Sequence, residues 1–213
     1  MSVTPSVLLA RTAVHTPFEF VYPITPMTQS DEQIVKEAIE AGAARAVIVE
    51  TSRIAFHEEF RQACERNACG KYATSWMGPP AIGPIEELME RARRFRKGLF
   101  FQTVHPLARS FDMKGIEEGV KVYRQVFGKL VERLKDGHGL DDVLPLGAGC
   151  CGVCGKCAYL DNEPCRHPDQ AVSSLEAYGM DVMALARDLG LPYNAGPKTV
   201  SFFGLILFNE KGE

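Results

Sequence analysis

Five of the chain's seven cysteines fall within one stretch, Gly147-Ala-Gly-Cys-Cys-Gly-Val-Cys-Gly-Lys-Cys-Ala-Tyr-Leu-Asp-Asn-Glu-Pro-Cys-Arg-His-Pro168. No other feature restricts the fold so strongly. Thiols this dense, spaced by glycines, do not pack a core; they surround a bound group. Cys151, Cys154 and Cys157 recur every third residue, and Cys165 follows later in the same loop. A short, glycine-loosened Cys-x2-Cys-x2-Cys run can reach three corners of a cubane iron–sulfur cluster, and a later cysteine can close the fourth. Structural zinc more often takes two separated cysteine pairs around one small ion. The spacing therefore favours a [4Fe–4S] cluster on Cys151, Cys154, Cys157 and Cys165, with zinc as the alternative.

The spacing to Cys165 differs from the ferredoxin run, so Cys165 is the ligand on which the chemistry turns. With it, the site is a closed electron carrier. Without it, one iron is left open for a substrate, as in a lyase or desulfidase. Cys150 is a spare thiol, read as a packed side chain, a substitute for Cys151 or a free thiol. Lys156 and Arg166 are surface charges or offsets to the negative charge of the site, and His167 is a loop residue or a further ligand. Gly147-x-Gly149-x-x-Gly152 matches a dinucleotide fingerprint literally. It lacks the helix that must open at the loop to receive a pyrophosphate.

The remaining sequence supplies a scaffold of alternating helices and strands. Residues 1–29 carry four prolines and no helical period, which predicts an irregular arm with a short strand near Phe18–Tyr22. Ser30-Asp-Glu-Gln33 has the form of a capping box, followed by an apolar stripe of Ile34, Val35, Ala38 and Ile39 and a stop at Gly42. A strand is expected over 46–50, and a short helix over 58–66 that delivers Cys64 and Cys69. Residues 70–83 are rich in glycine and proline and read as a loop holding the only tryptophan, Trp76. Pro84 opens a helix whose buried face is Leu88, Ala92 and Phe95, with Gly98 as its stop. The basic end of that helix, Arg91 to Lys97, is a solvated terminus or a docking patch for an acidic donor.

A strand over 99–104 leads to the clearest helix, 112–135. Its stripe is Ile116, Val120, Tyr123, Phe127, Leu130 and Leu134. Val143–Leu146 is strand-like and runs into the cysteine loop. Ser173-Ser-Leu-Glu176 reads as a second capping box, for a helix lined by Leu175, Val182, Met183, Ala186 and Leu189. Thr199–Phe208 is apolar on both faces, as in a central covered strand. This order predicts one α/β domain over 1–213 with a mixed sheet and a cluster-binding loop, 147–168, between a strand and a helix.

Net charge is −3, which points to neither nucleic acid nor an anionic membrane. No apolar run is long enough to span a bilayer. Seven cysteines without a secretion signal indicate the reducing cytoplasm. The partners expected are a redox protein or a small-molecule substrate. Asp161, Glu163, Glu176 and Asp181 are the nearby acid–base candidates, each also readable as a cap or a solvated charge.

Taken together, the run from Cys151 to Pro168, the segment Ser174-Leu-Glu-Ala-Tyr-Gly-Met-Asp-Val182, Gly190-Leu-Pro-Tyr193 and the Phe203–Phe208 strand resemble the predicted metal-binding proteins called domain of unknown function 2284. The resemblance covers most of the chain after the arm. It implies a metal or cluster on the loop cysteines and implies no reaction. Members of that family carry a second cysteine group, with cysteines at the positions held here by Ser75 and Gly78. This chain keeps Cys64 and Cys69 alone, as a redox dithiol, a partial ligand set or plain packing.

Overall fold

The computed structural model describes residues 27–210. The expected arm strand near Phe18–Tyr22 lies outside the described residues. Helix α1 (Gln29–Ala41) leads to strand β1 (Arg45–Glu50), then short helix α2 (Glu59–Glu65), helix α3 (Ile85–Arg93) and strand β2 (Lys97–Pro106). Helix α4 (Met113–Glu132) ends in a π-helical turn, Arg133–Gly137, and precedes strand β3 (Val143–Gly147). After the cysteine loop come the two-residue strand β4 (Ser173–Ser174), helix α5 (Val182–Asp188) and strand β5 (Thr199–Phe208). The element order agrees with the α/β reading.

The sheet runs β1-β2-β5-β3-β4. Its first three pairings are antiparallel and β3–β4 is parallel, so the sheet is mixed. β5 is central, as its two apolar faces required. Alternation sends Phe203, Leu205 and Leu207 to a core with α3 and α5, and Ile206 and Phe208 to a core with α1 and α4. Layers of helices therefore cover both faces. In the middle of the β2–β5 pair, Phe101 faces Gly204. A Cβ at Gly204 would lie 2.6 Å from the Phe101 ring, so the glycine makes room for the aromatic stack of Phe101 on Tyr123 and Phe127.

Five local expectations change. The capping box of α1 is Thr28 with Asp31, not Ser30 with Gln33. Asp31 Oδ2 accepts from Thr28 N at 3.0 Å, and Thr28 Oγ1 accepts from Asp31 N at 3.1 Å. The shift is fixed by Lys97, whose ammonium donates to both Asp31 oxygens at 2.9 and 3.1 Å. Ile39, assigned to the buried stripe, is 47% exposed. Gly98 does not stop α3. It lies inside β2, where a Cβ would meet Leu205, Leu207 and the Ile206 carbonyl at 2.8–3.0 Å. Ser173–Glu176 does not cap a long helix. Ser173 and Ser174 pair with β3, Glu176–Tyr178 makes a 3-10 turn, and Gly179 breaks it at φ +77°. Asp181 caps α5 instead, accepting from Ala184 N at 2.9 Å. Met183, assigned to the buried stripe of that helix, is 58% exposed.

Candidate metal centre

The site begins where β3 leaves the sheet. Parallel strands need a long crossover, usually a helix. Here β3 and β4 are joined by residues 148–172, whose only helical piece is the 3-10 turn Ala158–Asp161. The cysteine loop takes the place of the crossover helix.

Helix α4 holds the root of this loop with two consecutive side chains. The buried Tyr123 hydroxyl donates to Phe203 O and accepts from Ala148 N, both at 2.9 Å. It thereby ties β5 to the first loop residue. Burial pushes the Tyr123 phenol well above its ordinary pKa, so it keeps its proton and stays a donor. Arg124 then donates from Nη1 to Gly152 O at 2.9 Å. Its guanidinium lies where a Cβ at Gly152 would be, 1.8 Å from Nη2, so a side chain there would push the end of Arg124 aside.

Cys151, Cys154, Cys157 and Cys165 line one small cavity of about 20 Å³, together with Ser75, Trp76, Met77, Val153, His167 and Ala171. Each of the four is half-buried, whereas Cys150 is exposed, which corrects its reading as a packed side chain. Cys150 faces a second, larger cavity of about 680 Å³, which also reaches Cys151, Arg124, Phe127 and Val172. Cys151 therefore borders both spaces. His167 stands at the wall of the smaller one. Among the described residues, no three His, Cys, Asp or Glu side chains converge tightly enough to grip a single metal ion. The donor set is sulfur, spread around a cavity wall.

Charge near the loop is largely internal. Lys156 pairs with Asp161, and the Arg166 guanidinium donates to the Lys156 carbonyl. Two cations are thus held on the loop that carries the thiols. The acid–base candidates are not gathered at the cavity. Asp161 serves Lys156, Asp181 serves α5, and Glu163 contributes its backbone oxygen to Trp76. Glu176 is half-buried; desolvation raises its pKa, the backbone and the Ser174 hydroxyl oppose this, and nearby Asp181 raises it further.

Cys64 lies on α2 and Cys69 in the turn after it. Cys69 is exposed. Burial pushes the Cys64 thiol up, against the opposing charge of Arg61. Neither lines the cavity of the four loop cysteines.

The far wall of that cavity was not legible from cysteine spacing. It is the stretch Ser75–Met77. Trp76 Nε1 donates to Glu163 O at 2.9 Å, and its ring meets Tyr159 edge-on at 5.1 Å. Ser173 Oγ donates to Met77 O at 2.9 Å. Two signals pointed to this stretch: a lone tryptophan in a loop rich in glycine and proline, and the resemblance, which places family cysteines at the positions of Ser75 and Gly78.

Among the described residues, no helix is long and apolar enough to cross a membrane. No curated protein and no solved structure matches the chain. A family model described as "Predicted metal-binding protein (DUF2284)" does match, over residues 47–208, a span that includes the cysteine loop and its Ser75–Met77 wall. The chain belongs to the DUF2284 family of predicted metal-binding proteins.

Proposed function

We propose that Cys151, Cys154, Cys157 and Cys165 hold a [4Fe–4S] cluster and that the protein acts in redox chemistry, passing electrons to or from a partner protein in the cytoplasm. One observation carries this reading: four half-buried cysteine thiols border a single cavity. Cysteine sulfur serves iron–sulfur clusters and zinc alike, and the Cys-x2-Cys-x2-Cys spacing of Cys151, Cys154 and Cys157 is what favours the cluster. Such a cluster supplies one-electron chemistry when bound. The chain contributes the thiolates, the glycine-rich backbone between them, and the Lys156 and Arg166 charges beside them. The Ser75–Met77 wall limits access of water.

A second reading has its own support. The cavity of about 680 Å³ shares Cys151 with the thiol site and has the size of a small-molecule pocket. It favours a non-redox cluster enzyme of the lyase or desulfidase type, with substrate held between Arg124 and the apolar side chains of Phe127 and Val172. A zinc-stabilised binding module is the third reading.

Anaerobically purified protein separates them by iron, sulfide and zinc content and by electron paramagnetic resonance. The redox reading expects four irons per chain. Cys165→Ala should then remove most of the cluster. Full cluster content in Cys165→Ala would move the assignment to the substrate-binding reading. A colourless protein with one zinc per chain would exclude both cluster readings.

A further inference from the structure

The Ser75 side chain is 5% exposed, and its Oγ is buried without a hydrogen-bond partner. A buried hydroxyl left in that state costs about 1–3 kcal/mol. Ser75 lines the cavity of the four loop cysteines. Its backbone is fixed from both sides. Gly78 N donates to Ser75 O at 3.2 Å, and the next residue, Trp76, is anchored on Glu163 and Tyr159. The hydroxyl can therefore rotate but cannot leave. A water beside it would need two to four polar partners, and most of this wall is sulfur and apolar carbon.

We infer that Ser75 is a positioning residue of the metal centre, its Oγ–H donating a hydrogen bond to a sulfur of the thiolate-held group. The inference rests on the proposed reading of the four cysteines as a metal site. Ligating thiols are deprotonated, so the bound state offers this hydroxyl a charged acceptor that the neutral thiols lack. Hydrogen bonds to cluster sulfurs raise the reduction potential, because they favour the more negative, reduced form. Ser75 thus makes reduction easier and helps retain the group.

The test uses the full chain with Ser75→Ala and Ser75→Thr, prepared anaerobically. In redox titration, Ser75→Ala is expected to disfavour the reduced form tenfold, a fall of about 59 mV for a one-electron couple. Ser75→Thr, which keeps the hydroxyl, should restore the wild-type value. In thermal melts of metal-free protein, Ser75→Ala should be at least as stable as wild type, since it deletes an unpaired polar atom. An unchanged potential in Ser75→Ala overturns the inference. So does a lower melting temperature of the metal-free variant, which would show a structural role. If wild-type protein carries zinc, the cluster reading fails separately. Chelator competition then replaces the titration: tenfold weaker zinc retention in Ser75→Ala supports the inference, and equal retention overturns it.

Discussion

Strands β2 and β5 pair along ten residues each, and most of their side chains are buried between two layers of helices. The crossover from β3 to β4 lies one strand away and contains little beyond a 3-10 turn. The strand pair is held by a continuous ladder and by apolar burial on both faces, which needs no added group. The crossover is held by isolated attachments: Tyr123 and Arg124 at its root, Trp76 against its middle and Ser173 at its end. On the proposed reading, a group held by the thiols would add order to this loop, because metal-binding free energy adds to folding free energy in such sites. The difference teaches that one sheet can join a region held by its own burial to one held by scattered attachments.

The largest blow to that contrast would come through the strand pair. Gly204→Ala forces a Cβ against the Phe101 ring and should destabilise the whole fold by about 3 kcal/mol, the upper part of the range for overpacking. Chemical denaturation should show the loss equally with and without metal. A loss seen only in metal-loaded protein would break the division between the two regions.

Tyr123→Phe acts at their junction. It leaves Ala148 N and Phe203 O without their buried partner, at a cost of about 2 kcal/mol. Because Ala148 opens the crossover, metal release to a chelator should accelerate, and amide exchange should rise most around Ala148. Unchanged exchange at Ala148 would show that the hydroxyl does not join the regions.

A smaller effect sits at the far edge of the sheet. Burial alone would raise the Asp31 carboxyl, but hydrogen bonds from Lys97 and Thr28 outweigh it and hold the pKa below its ordinary value. A depressed carboxylate contributes stability above its unfolded pKa of about 3.9, and that contribution is lost as pH falls through the folded value. Asp31→Asn should therefore cost about 1 kcal/mol at neutral pH and progressively less in acid. A gap between variant and wild type that is the same at neutral and strongly acidic pH would contradict the ion pair, and metal content should not change.

Legibility in the sequence divides along the same line. The strand pair was readable because its signal is local: Thr199–Phe208 is apolar on both faces, and only a covered central strand satisfies that. The four thiols that the spacing singled out border one cavity. What joins distant segments was not readable. Thr28 and Asp31 looked less like a capping box than Ser30 and Gln33, because the Lys97 ammonium that completes the choice lies far along the chain. Gly98 looked like a helix stop because glycine marks both turns and close strand contacts, and only the side chains of Leu205 and Leu207 decide between them. Ser173–Glu176 carried a capping pattern that a 3-10 turn uses equally well, with Ser174 Oγ accepting from Ala177 N. Ser75 carried no signal at all from its neighbours, since its importance comes from a cavity closed by residues far later in the chain.

Trp76 has a practical consequence. It is the chain's single tryptophan, and its indole is fastened to the cysteine crossover through Glu163 and Tyr159. Tryptophan fluorescence of the protein is therefore a local signal, emitted from the wall of the thiol cavity and from nowhere else. Any chromophore bound by those thiols sits within quenching range of the indole. On the proposed reading, loading and loss of a group at those thiols can be followed in real time by emission intensity, without a label and without altering a residue.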